Sequence, residues 1–243
     1  MGRARGSVNL APMHRADTSD WAPSASLHRL RQPRCWRAQG DELTTYIPWL
    51  APAGILLLGY LLGSIPFGLL LTRFFGAGDL RQIGSGNIGA TNVLRTGRKG
   101  LAAATLLLDL AKGAAAVWIA GALLPGGGIL GGLAAFIGHC YPVWLRFNGG
   151  KGVATMMGVV LALHWPSAIV FAVVWLGLLA VLRISSLAGM SAAISAPVSA
   201  AFFGRIDLVL ILLALAMIVL WKHRANIDRL LNGTEPRIGK KSG

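Results

Sequence analysis

Charged residues are scarce in this chain. Asp, Glu, Lys and Arg make up 13% of its 243 residues, against about 25% in soluble domains. Apolar side chains account for 54% of the sequence and give it a mean hydropathy of +0.61. Because so little polar surface remains to face water, the composition excludes most soluble enzymes and all disordered or fibrous classes. It predicts an all-α, polytopic integral membrane protein.

Cysteine is almost absent as well. Cys35 and Cys140 share no spacing motif with each other or with a histidine, so the sequence predicts no disulfide framework, no metal site and no cofactor. Glycine is abundant, with 32 residues, but it has no G-X-Y period, which excludes collagen. Glycine at this frequency is typical of closely packed membrane helices and of polar sites lined by backbone.

Negative charge is the rarest feature. Nine acidic residues face 23 basic ones, for a net charge of +14. Such an excess indicates nucleic acid, anionic lipid or anionic substrates as partners. The sequence has no soluble basic domain, which makes nucleic acid the weakest of the three. We therefore expect a lipid bilayer and anionic substrates, and no nucleic acid.

The first 45 residues differ from the rest. They contain seven arginines, several serines and prolines, and no apolar run. This composition predicts a disordered basic tail over 1–45; alternatively, translation starts at Leu43 and the residues before it are an artefact. A membrane domain then spans 46–236, and a basic tail covers 237–243.

Apolar runs predict seven membrane helices, since a span needs about 20 apolar residues. The run over 153–181 is interrupted by His164, Trp165 and Pro166, so it is predicted to form two short helices. The run over 208–221 is short, which leaves six helices as the alternative. The other predicted spans are 47–71, 101–124, 129–145 and 184–203.

Basic residues orient these helices. Fourteen of them lie in the loops after the first, third and fifth helices and in the C-terminal segment. The opposite side, apart from the N-terminal tail, holds only Arg205. By the positive-inside rule the N-terminus is outside and the C-terminus cytoplasmic. The basic N-terminal tail violates this rule.

The first polar motif occupies 84–92 and is followed by Arg95. Its glycines expose backbone N–H groups, its Ser, Asn and Thr side chains add hydrogen-bond partners, and Arg95 adds a cation that can bind two oxygens. Such a set can surround a phosphate, although it lacks the Walker pattern. The alternative is a simple connecting loop. The candidate residues are Gly84, Ser85, Gly86, Asn87, Thr91, Asn92 and Arg95.

The second motif places Gly149, Gly150 and Gly152 around Lys151. A helix is predicted to begin directly afterwards, and its positive end would point to the same place. We predict a second anion site, with a positively charged helix cap as the alternative.

The third motif consists of His223 and Asn226 at the end of the last span. Their i, i+3 spacing predicts a shared helix face, while the alternative is a solvated segment leaving the membrane. His223 and Asp228 also have the H-x4-D spacing of a different class of acyltransferase. With five histidines in the chain a chance match is unsurprising, and Asp228 would point about 140° away on a continuous helix.

Three ionisable residues fall inside predicted spans. Asp109 and Lys112 are spaced i, i+3 on the second helix, and His139 lies on the third. Intramembrane charges are costly and usually face a partner or a polar cavity. These residues either brace the site or contact the substrate, and the sequence leaves both roles open.

Taken together, these segments resemble the acyl-phosphate-dependent glycerol-3-phosphate acyltransferases, the PlsY type of bacterial membrane enzyme. The resemblance runs from about residue 50 to 236 and does not include the N-terminal tail. The matching segments are 63–68, 84–92 with Arg95, 109–113, 138–139, 149–155, 185–186 and 223–227.

The resemblance implies seven membrane helices in the bacterial inner membrane and a site that faces the cytoplasm. It implies transfer of a fatty acyl group from acyl phosphate to the 1-hydroxyl of glycerol 3-phosphate. The products would be lysophosphatidic acid and phosphate, in the first step of phospholipid synthesis. Ser85, Arg95, Lys151, His223 and Asn226 fall at the family's phosphate-contacting positions.

The chemistry of the residues agrees with this implication. Acyl phosphate is a mixed anhydride with a good leaving group, so the site mainly has to position two anions and stabilise shifting charge. The base that takes the hydroxyl proton is either a substrate phosphate oxygen or His223. A small anion transporter is the main alternative, although no internal repeat is seen and the polar motifs collect on one side. A non-catalytic assembly factor would not need two cationic, glycine-lined loops.

Overall fold

The computed structural model describes Gly2 and residues 48–239. The predicted tail over 1–45 lies outside this part except for Gly2, as do the last four residues of the predicted C-terminal tail. Over the described residues the regular elements are all helical. The helices are α1 Leu50–Gly63, α2 Phe67–Phe74, α3 Ala90–Leu94, α4 Lys99–Leu123, α5 Gly127–Cys140, α6 Val153–Leu163, α7 Trp165–Leu182, α8 Ser185–Phe202, α9 Ile206–Lys222 and α10 Arg224–Leu231, with short 3-10 turns at Leu80–Gln82 and Val143–Leu145.

Five helical segments in the described part are long and apolar enough to cross a membrane. They are Leu50–Phe74, Lys99–Leu123, Gly127–Leu145, Trp165–Leu182 and Ser185–Phe202. A sixth is added if α9 and α10, which bend by 60° at their junction, form one span. α6 is apolar but has only 11 residues. Five or six spans follow from length and composition, and the seven-span arrangement stays a prediction.

The first span is not the continuous helix that the sequence predicted. The chain leaves helical geometry after Gly63 and resumes at Phe67. Pro66 explains the break, because proline has no N–H to donate and disfavours helical geometry in the preceding residue. The carbonyls exposed by the break receive distant donors: Trp144 Nε1 donates to the Ser64 oxygen at 2.9 Å, and Lys112 Nζ donates to the Ile65 oxygen at 2.7 Å.

The predicted division of 153–181 is confirmed. α6 ends at Leu163, His164 has extended backbone geometry, and α7 begins at Trp165 with Pro166 in its first turn. Proline is favoured there because the first N–H groups of a helix have no intrahelical partner. His164 Nδ1 lies 2.9 Å from the hydroxyl of Ser167 and fixes the corner.

Small residues let the helices pack closely. A Cβ on Gly63 of α1 would overlap the backbone of Ala135 on α5, and one on Gly158 of α6 would overlap the Leu110 carbonyl of α4. The largest core cluster includes Phe136, Met156, Phe171, Leu212 and Leu215, while large apolar side chains elsewhere point outward. A bundle that is apolar both inside and outside is what a lipid environment requires. The chain is an integral membrane protein.

Candidate active site

A single cavity of about 770 Å³ brings the three polar motifs together. It also receives α4 and α5 residues and the segment that follows α10. The predicted residues lining it are Gly84, Ser85, Asn87, Thr91, Asn92, Arg95, Asp109, His139, Lys151, Gly152, His223 and Asn226. The predicted residues Gly86, Lys112, Gly149 and Gly150 are not among its lining.

Asn92 organises the first motif. Its amide nitrogen donates to the carbonyls of Leu80 and Ile83, both at 2.9 Å. Its amide oxygen accepts from the backbone N–H of Ser85 and from Nη1 of Arg95, both at 3.3 Å. Asn92 is therefore occupied in shaping the loop, and it aims Ser85 and Arg95 at the cavity.

Gly84 is required by the same loop. Its φ is +55°, and a Cβ there would lie 2.7 Å from the Asn92 amide oxygen. Any other residue would be strained and would displace the Asn92 side chain. The alternation of glycine with polar residues thus reflects both conformation and close packing.

The second motif is fixed against α5. The N–H of Gly150 donates to the His139 carbonyl at 3.0 Å, and that of Gly149 donates to the Cys140 carbonyl at 3.2 Å. A Cβ on Gly150 would overlap the His139 ring. Gly149 and Gly150 therefore act by close approach to α5, which presents Lys151 to the cavity.

Lys151 is a partly desolvated cation. Burial lowers its pKa to about 8; Glu235 opposes this shift, while the neighbouring cations Arg229, Arg95 and Lys222 add to it. A bound phosphate would favour the charged form and raise the pKa again. The ammonium donates to the side-chain oxygen of Asn226, which links the second motif to the third.

The third motif does not lie on one continuous helix, contrary to the prediction. His223 lies between α9, which ends at Lys222, and α10, which contains Asn226. The 60° bend between the helices nevertheless leaves both residues lining the cavity. The N–H of Asn226 donates to the His223 carbonyl at 2.7 Å, so the two residues are joined through the backbone. Asp228 is exposed and is not part of the cavity lining.

The His223 ring has a defined orientation. Its Nδ1 lies 2.8 Å from the carbonyl oxygen of Val219. A carbonyl can only accept, so Nδ1 carries the hydrogen, and in the neutral ring Nε2 is the nitrogen with a free lone pair. Because His223 lines the cavity, this nitrogen is a candidate proton acceptor.

Glu235 was missed at the level of the sequence. Its Oε1 accepts from the Ser186 hydroxyl and from the Asn226 amide, both at 2.6 Å. Its Oε2 accepts from Nε of Arg229 at 2.7 Å, and the carboxylate side chain is only 6% exposed. Burial alone would raise the pKa of Glu235, but these three hydrogen bonds lower it below its usual value. Its one sequence signal is an acidic side chain within a strongly basic C-terminal segment.

The intramembrane ionisable residues form one cluster. Lys112 Nζ lies 2.8 Å from Oδ1 of Asp109, and His139 Nδ1 lies 3.6 Å from the same oxygen. All three residues are buried, and Asp109 and His139 line the cavity.

The cavity carries an excess of positive charge. Its lining includes four cations and two carboxylates. Asp109 is paired with Lys112 and Glu235 with Arg229, whereas the four lining cations form no ion pair within residues 48–239. These cations are Arg95, Lys99, Lys151 and Arg237, of which Lys99 and Arg237 were not predicted. Over the same residues no group of three His, Cys, Asp or Glu side chains is placed to hold a metal ion.

The fold and the site define a helical membrane protein with a cationic, glycine-lined cavity of the kind that binds phosphate groups. The sequence profile of the family described as glycerol-3-phosphate acyltransferase matches residues 53–233. The chain belongs to the glycerol-3-phosphate acyltransferase family, of the PlsY type. The resemblance stated from the motifs is therefore confirmed.

Individual relatives agree. The glycerol-3-phosphate acyltransferase of Mesorhizobium japonicum is 59% identical over 186 residues, which are 76% of this chain and 95% of the relative. That of Erythrobacter litoralis is 57% identical over 192 residues, covering 79% and 98%. The crystal structure of PlsY (YgiH), an integral membrane glycerol 3-phosphate acyltransferase, in its glycerol 3-phosphate form is 38% identical. It superposes with a TM-score of 0.73 over 77% of this chain and 96% of that one.

Proposed function

We propose that this protein transfers a fatty acyl group from acyl phosphate to the 1-hydroxyl of glycerol 3-phosphate. The products are lysophosphatidic acid and inorganic phosphate, in the first step of phospholipid synthesis. The observation that carries the proposal is the convergence of Arg95, Lys151 and Asn226 on one cavity. The relatives named glycerol-3-phosphate acyltransferase, and the PlsY structures in glycerol 3-phosphate and lysophosphatidic acid forms, support the same acceptor.

Acyl phosphate is the donor that this site suits best. Both substrates then carry phosphate, which matches a cavity with four lining cations that form no ion pair among the described residues. Apolar lining residues, including Leu106, Val153 and Trp175, offer a wall for the acyl chain. Cys140 is fully buried in the core and does not line the cavity, so it is not placed to form an acyl-enzyme.

The reaction needs positioning more than covalent catalysis. The acceptor hydroxyl oxygen attacks the acyl carbonyl carbon, the bond from that carbon to the phosphate oxygen breaks, and phosphate leaves with the bonding electrons. Lys151 and Arg95 stabilise the negative charge that moves onto the leaving group. The hydroxyl proton goes to Nε2 of His223 or to a phosphate oxygen of the substrate, both of which remain candidates. Ser85 and Asn226 provide neutral donors to the phosphate groups.

The proposed setting is the bacterial inner membrane, with the site facing the cytoplasm. Loop charge supports seven spans with the N-terminus outside and the C-terminus inside. In that arrangement α6 and α9 each count as a span. The matched residues 53–233 fall within 46–236 and support that range as the acyltransferase domain.

Purified protein supplied with palmitoyl phosphate and glycerol 3-phosphate tests the proposal directly. We expect lysophosphatidic acid and phosphate in equal amounts, and no product when palmitoyl-CoA replaces the donor. Lys151→Ala is the matched inactive control. Turnover with palmitoyl-CoA alone, or no turnover with palmitoyl phosphate by a folded protein, contradicts the proposed donor.

A further inference from the structure

The segment that follows α10 forms part of the cavity wall. Residues 235–239 all line the cavity, although they belong to no helix. They lie beyond residues 53–233, the range that the family profile matches. This segment brings Arg237 to the cavity, one of its four lining cations. The function proposed above gives roles to Arg95 and Lys151 but none to Arg237.

Two contacts, one on each side of Arg237, hold the segment in place. Before it, the buried carboxylate of Glu235 accepts three hydrogen bonds from side chains of α8 and α10. After it, the backbone N–H of Ile238 donates to the carbonyl of Arg183, between α7 and α8, at 2.7 Å. Pro236 further restricts the backbone between these contacts. Because both ends are fixed, the segment loses little freedom when Arg237 binds a ligand.

The guanidinium of Arg237 is available to such a ligand. Within residues 48–239 it makes no side-chain hydrogen bond and no ion pair, and the residue is exposed. By contrast, Arg95 and Lys151 each donate to the side-chain oxygen of an asparagine. A guanidinium can donate two parallel hydrogen bonds to two oxygens of one phosphate. Arg237 therefore suits an anion with several oxygens.

The charge of the substrates calls for such a cation. A phosphate with one substituent carries about −1.5 to −2 at pH 7, so glycerol 3-phosphate and acyl phosphate together bring about −3 to −4. Arg95 and Lys151 balance only part of this charge, and repulsion between the two phosphates would weaken their binding. Lys99 also lines the cavity, but it is the exposed first residue of α4, whereas Arg237 lies between two fixed contacts.

We propose that Arg237 is a further substrate-binding residue, which binds the phosphate of one of the two substrates. Ile238 is a positioning residue, because its N–H keeps Arg237 at the cavity. This inference rests on the proposed function, since the phosphate belongs to a substrate named there. Glycerol 3-phosphate and acyl phosphate present the same oxygens to a guanidinium, so kinetic measurements on each substrate distinguish them.

Steady-state kinetics of the purified full-length protein tests the proposal. KM is measured for palmitoyl phosphate at saturating glycerol 3-phosphate, and for glycerol 3-phosphate at saturating palmitoyl phosphate. Arg237→Gln should raise one of these KM values about 10-fold, as expected for loss of a charged hydrogen bond. The other KM and kcat should stay within about twofold of the wild type. The substrate whose KM rises is the one that Arg237 binds.

Two further variants separate geometry from charge. Arg237→Lys keeps the charge but cannot donate in parallel to two oxygens, so it should raise the same KM about threefold. Arg224→Gln is the matched control, because it removes one positive charge from an exposed position on α10 outside the cavity lining. Both KM values should be unchanged in this control.

A double-mutant cycle tests the role of Ile238. Ile238→Pro removes the N–H that donates to the Arg183 carbonyl, and it should raise the same KM as Arg237→Gln. The variant with both changes should be no worse than Arg237→Gln alone, because the contact acts through Arg237. Additive effects would overturn the positioning role of Ile238.

A folded Arg237→Gln that keeps both KM values would overturn the proposal. So would an equal rise in both, or a rise that Arg224→Gln reproduces, because either indicates a general effect of lost charge. Thermal unfolding checks each variant, and Arg237→Lys decides the question if Arg237→Gln does not fold. Failure of the proposed function is distinguishable, since the wild type would then form no lysophosphatidic acid from palmitoyl phosphate. Calorimetric titration with inorganic phosphate then tests the contact, and an equal Kd for wild type and Arg237→Gln would overturn it.

Discussion

The carboxylate of Glu235 is the most informative position to perturb, because it connects the C-terminal segment to residues that we propose bind phosphate. Glu235 holds the amide of Asn226, and the amide oxygen of Asn226 accepts from Lys151. Glu235→Ala removes the acceptor for Ser186, Asn226 and Arg229 at once. Glu235→Gln keeps one carbonyl oxygen for Ser186 and Asn226 and loses mainly the ion pair with Arg229.

The magnitudes follow from burial. Ser186 and Asn226 are 4% and 6% exposed, and a hydrogen bond to a charged group contributes about 1.5–3 kcal/mol. Two such bonds set an upper limit of about 6 kcal/mol for Glu235→Ala, and water entering the cavity should reduce the loss to about 3 kcal/mol. Arg229 is 35% exposed, so its pair with Glu235 should contribute at most about 1 kcal/mol. Glu235→Gln should therefore remain folded and nearly as stable as the wild type.

Activity should follow the same order. We expect kcat/KM for glycerol 3-phosphate to fall about 10²-fold in Glu235→Ala, because Asn226 and with it Lys151 lose their anchor. Glu235→Gln and the control Arg229→Gln should each stay within about 10-fold of the wild type. Thermal unfolding of each purified variant checks that the loss is not one of folded protein. A Glu235→Ala enzyme with normal rate and stability would refute the proposed contacts from Glu235 through Asn226 to Lys151. A Glu235→Gln enzyme as inactive as Glu235→Ala would indicate that the negative charge of Glu235 takes part in the reaction.

Three further predictions concern the residues that we propose bind phosphate. Lys151→Ala and Arg95→Ala should each lower kcat/KM by about 10²-fold or more, since each removes a cation from an anion site; near-normal rates in folded variants would exclude them from it. Because the pKa of Lys151 is lowered to about 8, the substrate-free site loses this positive charge as the pH rises past about 8. KM for glycerol 3-phosphate should therefore rise above that pH, and Lys151→Arg should shift this rise to higher pH. An identical dependence of KM on pH in both proteins would contradict this. His223→Ala and Asn226→Ala should both weaken catalysis. Asp228→Asn should change it little, because Asp228 is exposed and lies outside the cavity lining. An inactive Asp228→Asn variant together with an active Asn226→Ala variant would favour the His–Asp dyad instead.

The site motifs could be predicted because they stand out locally. Glycines and neutral polar residues around a single cation are conspicuous between apolar runs, so segments 84–92 and 149–152 were found without any knowledge of the fold. The corner at His164 was equally local, since Pro166 marks it. These signals lie within a few neighbouring residues, which is the range over which backbone preference acts.

The missed features depend on partners that are distant in the sequence. The break near Pro66 could not be distinguished from a tolerated proline, because the donors to its carbonyls, Lys112 and Trp144, are 47 and 80 residues away. Glu235 depends on Ser186, which is 49 residues from it. The bend at His223 likewise interrupts a run that the i, i+3 spacing treated as one helix. Pro66 is the local cause of the first break, but the donors that complete it, and the partner that makes Glu235 part of the site, come from distant segments.

The cavity offers a physical reason for the scarcity of acidic residues in this chain. A carboxylate beside a phosphate site is costly, yet two of the nine acidic residues line the cavity that we propose binds phosphate. Each is paired with a cation outside the lining, Asp109 with Lys112 and Glu235 with Arg229, so neither cancels the charge of Arg95 or Lys151. Glu235 can then orient the Asn226 amide while the lining cations keep the attraction for phosphate that we propose for them. An acidic residue without such a partner would weaken substrate binding, which explains why the basic segments around the site contain so few of them.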